Sequence, residues 1–203
     1  MNEQIVEDVK VILIGDSGVG KTNLINTSTG GEFNEIEKSS TTASYSKKQM
    51  NIDGDLYNLS LWDTIGQEKL RHLSKLFFNN SKIVIFVYDI THKETLEGLN
   101  TWYKEIKESL GEEIIKGVVG NKQDLYMKEE VEEEQGEKYA ESINAKFRLT
   151  SAKEDAQGFI NFLELLLKEY INKNGKKPKM NDNIKLVNEN HNMKNTKQKS
   201  SCC

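Results

Sequence analysis

The sequence predicts an α/β fold: a mostly parallel sheet of six strands with about five helices covering both its faces. Two stretches, "KIVIFVYD" at 82–89 and "EIIKGVVGNK" at 113–122, are almost continuously apolar, as strands buried on both sides are. Stretches of helical period lie between the strands. One pair of runs, "SYSKKQMNIDGDLYNLSLWD" at 44–63, alternates polar and apolar residues and turns at Asp53-Gly54, the mark of a hairpin.

Taken in order, "DVKVILIG" at 8–15 is a short apolar strand that ends at Gly15, and "KTNLINTS" at 21–28 follows as a helix. The hairpin comes next, then helical patterns at 68–78, 93–110, 130–142 and 157–170, with a shorter strand in "AKFRLTSAK" at 145–153. In the last helix Phe159, Phe162, Leu163, Leu166 and Leu167 form one stripe. Strands alternating with helices in this way place ligands at the carboxyl ends of the strands. Beyond residue 171 the pattern gives way to Asn and Lys, with the chain's single proline at Pro178. Too little apolar surface remains there to offset ordering entropy, so 1–171 reads as one domain and 172–203 as a flexible tail.

Composition narrows the function. The chain has 203 residues and a net charge of −4, so no overall basic field argues for nucleic acid. The tail holds eight lysines against one aspartate and one glutamate, about +6, and leaves about −10 on the domain. Both cysteines, Cys202 and Cys203, are the last two residues, so none staples the interior and a reducing compartment is expected. The polar, acidic N-terminus does not read as a signal peptide, and no apolar run reaches the roughly 18 residues a membrane span needs. Any membrane contact is expected through the C-terminal end.

"GDSGVGKT" at 15–22 has the spacing G-x-x-x-x-G-K-[ST], and it lies between a predicted strand and a predicted helix, the context this motif requires. Gly15, Asp16, Ser17, Gly18, Val19 and Gly20 are expected to turn their amides toward phosphates, with Lys21 reaching the β- and γ-phosphates. Thr22 would supply a hydroxyl to Mg²⁺, and Asn23 in the first helical turn completes this set. The alternative is a glycine-rich turn followed by a chance Lys-Thr. In "LWDTIGQE" at 61–68 an apolar strand ends in a carboxylate, costly to bury unless a cation meets it. Mg²⁺ beside the phosphate loop would neutralise Asp63 through a water; Gly66 would bring an amide to a terminal phosphate and Gln67 would orient an attacking water. Alone, this D-x-x-G spacing is more often an ordinary turn.

"GNKQD" at 120–124 follows a strand. Asp124 can accept two hydrogen bonds from a base with adjacent N–H and NH₂ donors, which guanine has and adenine lacks. Asn121 would support the base and the loop, and the stem of Lys122 would lie over the ring. "TSAK" at 150–153 ends another strand, where the Ala152 amide can meet the base carbonyl and Lys153 can pack across the other face. A solvated polar loop is the bland alternative for both segments.

With "GDSGVGKT", "WDTIGQE", "GNKQD", "TSAK" and a terminal "CC" in this order and spacing, the chain resembles a Ras-superfamily small GTPase, and within that group a Rab. The resemblance covers residues 8 to about 171 and the final two. It implies the P-loop small GTPase fold, GTP and GDP binding with Mg²⁺, slow GTP hydrolysis, and a membrane-attached switch in vesicle trafficking. Gln67 is then the catalytic residue, and Ser151, Ala152 and Lys153 join the nucleotide-binding set. The implied partners are an exchange factor, an activating protein, a GDP-dissociation inhibitor or escort protein, and effectors. The protein would act as a monomer on the cytoplasmic face of an intracellular membrane, cycling with cytosol.

Two positions depart from the family pattern. The family threonine that binds Mg²⁺ and the γ-phosphate falls within "KSSTTASY", where Ser40, Thr41 and Thr42 are candidates. Thr41 is favoured by residue type. The family's "DTAGQE" reads "DTIGQE", and Ile65, a β-branched residue beside Gly66, is expected to restrict that segment and alter turnover or docking. Arg71 and Arg148 are the only arginines, so fast hydrolysis would need charge from a partner, an effect of roughly 10³–10⁵ in rate. The same scarcity disfavours a phosphotransferase that clamps phosphates with several arginines. The remaining alternative is a nucleotide-loaded scaffold that scarcely hydrolyses. Double-cysteine endings of the Rab type resemble substrates for geranylgeranylation of both thiols; two lipid chains anchor stably where one does not, and the lysines add attraction to anionic lipid.

Overall fold

The computed structural model describes residues 5–35, 44–64 and 78–175. The candidates Ser40, Thr41, Thr42, Ile65, Gly66, Gln67 and Arg71, the predicted helix 68–78 except Phe78, and the tail with Cys202 and Cys203 lie outside these residues.

Six strands form one sheet in the order β2-β3-β1-β4-β5-β6. They are β1 (Ile5–Ile14), β2 (Ser44–Ile52), β3 (Asp55–Asp63), β4 (Ile83–Asp89), β5 (Ile115–Asn121) and β6 (Lys146–Leu149). All neighbouring pairs are parallel except β2 with β3. Four α-helices are found among the described residues: α1 (Lys21–Ser28), α2 (Lys93–Leu110), α3 (Glu133–Ser142) and α4 (Ala156–Asn174).

Period-two alternation along the central strands builds two cores. Val9, Val11 and Leu13 of β1 and Ile83, Ile85 and Val87 of β4 face α1 and α4, where Leu24, Phe159, Phe162 and Leu166 bury themselves. Ile12, Ile14, Val84, Phe86 and Tyr88 face the other way, toward Leu99, Trp102 and Ile106 of α2 and Ala140 of α3. Burial on both faces is the physical reason that these strands read as continuous apolar runs. The hairpin closes with two residues between paired Ile52 and Asp55. Asp53 (φ 52°) and Gly54 (φ 86°) both adopt positive φ, as the tight primed turn requires.

Several boundaries differ from the sequence expectations; β6, expected over 145–153, is Lys146–Leu149. β1 begins at Ile5 because parallel pairing with β3 extends back to Leu56 across a register shift. The helix expected from residue 130 starts at Glu133: the amides of Glu130 and Val131 donate to the Ile90 carbonyl, and Glu132 caps the helix reciprocally with Gln135. At the far end, α4 continues to Asn174, where Lys173 donates to the Glu113 carbonyl at 2.7 Å and pairs with its carboxylate. A 3₁₀ segment, Gln123–Lys128, follows β5 where only a loop was expected.

Every predicted site residue that is described sits at the carboxyl end of a strand or just beyond it. β1 delivers the loop 15–20, β3 delivers Asp63 and Thr64, β5 delivers Asn121 to Asp124, and β6 delivers Ser151 to Lys153. Parallel pairing brings these ends to one edge of the sheet.

Candidate functional site

The glycine-rich loop leaves β1 with Gly15 at φ 148° and enters α1 from Gly20 at φ 95°. A Cβ on Gly15 would lie 2.1 Å from the Val87 carbonyl oxygen, and one on Gly20 would lie 2.3 Å from Asn121 Nδ2. A backbone carbonyl therefore occupies the volume a side chain needs at Gly15, and the Asn121 side-chain amide occupies it at Gly20. Lys21, buried at the start of α1, donates from Nζ to the carbonyls of Gly15 (2.9 Å) and Asp16 (2.8 Å). Burial pulls its ammonium down to about 8, against the opposing pull of Asp63 and Asp16. Thr22 donates from Oγ1 to Asp63 Oδ2 at 2.6 Å, so two of the three predicted metal residues meet. Thr64 ties its hydroxyl to the Leu13 carbonyl at 2.6 Å.

Asn121 reaches in two directions. Its Nδ2 donates to the Val19 carbonyl at 2.8 Å and its Oδ1 accepts from the Ala152 amide at 3.0 Å. One buried side chain thus joins the glycine-rich loop, the end of β5 and the loop after β6. Ser151 donates from Oγ to Asp124 Oδ1 at 2.5 Å and accepts from the amides of Lys153 and Glu154 at 3.1 and 3.0 Å. This loop turn fixes one oxygen of the Asp124 carboxylate. Lys122 adopts φ 70°, and its ammonium pairs with Asp89 at 2.6 Å.

These parts enclose a cavity of about 260 Å³. Ser17, Gly18, Gly20, Lys21, Thr22 and Asn23 line it from the glycine-rich loop and α1, and Asn121, Lys122, Asp124, Ala152 and Lys153 from beyond the ends of β5 and β6. Gly15, Asp16, Val19, Asp63 and Ser151 stand behind the lining. Gly15 and Asp16 hold Lys21 by their carbonyls, Val19 is in the core, Asp63 holds Thr22 and Ser151 holds Asp124. The Asp16 side chain turns away, accepting from Trp102 Nε1 of α2 at 3.0 Å.

Phe33, Asn34, Glu35, Thr64 and Leu125 also line the cavity, and the motif spacing pointed to none of them. Asn23 explains three of the five: it donates to the Asn34 carbonyl at 2.9 Å and accepts from the Asn34 amide at 3.0 Å, which brings the segment after α1 back over the loop. The one available signal is that Phe33 is the single aromatic between α1 and β2. Chemically, the lining includes a lysine at the start of a helix, an oriented carboxylate, two further lysines and an aromatic ring. Such a lining fits a ligand with an anionic part and a planar donor-bearing part.

Residues 10–171 match the Ras family. Among curated relatives, the bovine (Bos taurus) Ras-related protein Rab-21 is 40% identical over 146 residues, 72% of this chain and 66% of its own length. The Ras-related protein Rab-21 of the sponge Geodia cydonium is 37% identical over 162 residues, covering 80% of this chain and 71% of its own. Ras-related protein RABA1b of Arabidopsis thaliana is 37% identical over 161 residues, covering 79% and 74%. The chain thus spans just under two thirds of the mammalian Rab-21 length and more of the others. On this match and on a six-stranded sheet with its motifs gathered at one edge, the chain belongs to the Ras family and, within it, to the Rab proteins.

Proposed function

We propose that the cavity binds GTP and GDP with Mg²⁺, and that the protein hydrolyses GTP slowly and acts as a membrane-attached switch in vesicle trafficking. The observation that carries the reading is that one cavity is lined both by Lys21 and by Asp124, whose carboxylate Ser151 orients. Its free oxygen side can take the adjacent N–H and NH₂ of guanine, and the Ala152 amide lies in the same lining for the base carbonyl. Phe33 and the stems of Lys122 and Lys153 give the base apolar surface.

Two of the three Lys21 donors are held by loop carbonyls, which fixes the nitrogen and leaves one for a phosphate oxygen. An anionic phosphate there offsets the burial that depresses the ammonium. Thr22 Oγ1 and Asp63 Oδ2 are hard oxygen donors of the kind Mg²⁺ takes. Among the described residues no trio of His, Cys, Asp and Glu gathers to hold a metal. Bound there, Mg²⁺ would neutralise phosphate charge; Lys21 and the loop amides would hold the phosphates in line, and Gln67 would orient the attacking water. Thr41 and Gly66 would respond to the γ-phosphate, so its loss would release both segments to be read by effectors.

Titration of nucleotide-free protein tests the site. Two hydrogen bonds to a carboxylate at about 1.5–3 kcal/mol each predict that GDP binds roughly 10²–10⁴-fold more tightly than ADP. Equal affinity for ADP would remove the role of Asp124. Ile65 in place of the family alanine favours a second reading, a loaded scaffold that scarcely hydrolyses. Phosphate release that stays flat with an activating protein present would select it. Attachment through Cys202 and Cys203, with cycling between the cytoplasmic face and cytosol, is tested by mass spectrometry of protein from its own cells, where two prenyl groups are expected. No helix among the described residues is long and apolar enough to cross a membrane.

A further inference from the structure

Asp89 ends β4 beside the cavity without lining it. It is 3% exposed and accepts three hydrogen bonds, with His92 Nδ1 also close to it. Oδ1 takes the Thr91 amide (2.9 Å) and the Thr91 hydroxyl (2.7 Å), and Oδ2 takes Lys122 Nζ at 2.6 Å with His92 Nδ1 at 3.2 Å. Burial alone would raise the carboxyl, but the Lys122 and Thr91 hydrogen bonds outweigh it and hold the carboxyl below its ordinary range. Thr91 therefore fixes the carboxylate to the end of β4, and the carboxylate fixes the tip of Lys122. The other end of that side chain is fixed as well, since Lys122 follows Asn121 and takes a left-handed backbone conformation. A long side chain clamped at both ends has only its aliphatic stem left to present, and that stem lines the cavity.

Resting on the nucleotide reading above, we propose that Asp89 is a positioning residue of the base site, holding the Lys122 stem as a rigid wall against the base. Lysine otherwise carries large rotamer freedom, which base binding would have to remove. Asp89 removes it beforehand, so the wall is preorganised. The carboxylate touches no ligand and acts only through Lys122.

Asp89→Asn gives the test. With its amide oxygen kept on the two Thr91 donors, its NH₂ faces the Lys122 ammonium, donor against donor, and the lysine is released. Dissociation of a fluorescent GDP analogue is measured in wild type, Asp89→Asn, Lys122→Met and the double variant, methionine supplying an apolar stem with no ammonium to anchor. Asp89→Asn is expected to speed release roughly tenfold in the wild-type background and less than twofold in the Lys122→Met background. Asp89→Glu, which keeps the charge, should recover most of the loss. Equal acceleration in both backgrounds, or none in either, overturns the proposal. Should Asp89→Asn fail to fold, Thr91→Val loosens the carboxylate while leaving its charge, and the same dependence on Lys122 is required. Wild-type protein that binds no GDP would instead overturn the nucleotide reading itself, a result distinct from tight GDP binding indifferent to Asp89.

Discussion

Replacing Asn121 with alanine should damage stability and nucleotide retention together. The substitution deletes the donor to the Val19 carbonyl and the acceptor of the Ala152 amide, at 2.8 and 3.0 Å, both in buried surroundings. Each orphaned backbone group costs about 1–3 kcal/mol, so Asn121→Ala is expected to lose about 2–6 kcal/mol, a large part of a typical domain's total. At about 2–4 °C per kcal/mol for a chain of this size, the midpoint of thermal unfolding falls by roughly 4–24 °C. Asn121→Asp makes the test sharper. The aspartate keeps an acceptor for Ala152 but sets a carboxylate oxygen against the Val19 carbonyl, so the near-isosteric change should be as harmful as alanine. Calorimetry or circular dichroism of nucleotide-free protein reads the first effect, and GDP release, accelerated roughly tenfold or more, reads the second. If both variants unfold within about 0.5 kcal/mol of wild type and hold GDP as long, the three loops are not joined through this side chain.

Gly20→Ala forces a Cβ onto Asn121 Nδ2 at positive φ, so it should mimic Asn121→Ala; in an Asn121→Ala background only the backbone cost of about 1–2 kcal/mol should remain, visible as non-additive denaturation free energies. The Lys21 ammonium sits at about 8 in the fold against an ordinary value of 10.5, so above pH 8 the folded chain holds fewer protons than the unfolded one. Stability of nucleotide-free protein should therefore rise between pH 8 and 9.5 relative to Lys21→Met, by up to about 2 kcal/mol. That window stops short of the pH at which Tyr88, Tyr139 and Tyr170, whose hydroxyls burial pushes up, favour the folded state at lower pH. Parallel pH dependence in the two proteins would mean that the Lys21 charge is not buried.

Much of the site was legible because its residues are adjacent in sequence. Lys21 and Thr22 follow a strand directly, and Asp53-Gly54 marks a turn by residue type alone. Asn121 and Asp124 line the cavity, yet their partners are not foreseeable from the sequence, since Val19 and Ser151 meet them across 102 and 27 residues. Phe33 and Thr64 escaped for a related reason. Phe33 is brought in by the Asn23–Asn34 pair and Thr64 by the Leu13 carbonyl, hydrogen bonds between commonplace polar residues that carry no periodicity. The early end of the 130–142 prediction has the same origin: Glu130 and Val131 are good helix continuations locally, but their amides are taken by Ile90.

Among the described strands β2 lies at the rim of the sheet, hydrogen-bonded on one side only. A rim of that kind offers a row of backbone groups on which a second chain could polymerise. Lys47 is exposed midway along it, while Lys48 is drawn to the Ser28 carbonyl at 2.6 Å, and stacking a second β2 against the first would bring the Lys47 charges of two copies together. The strand that completes the sheet thus also carries, at Lys47, a charge that opposes pairing with a second copy.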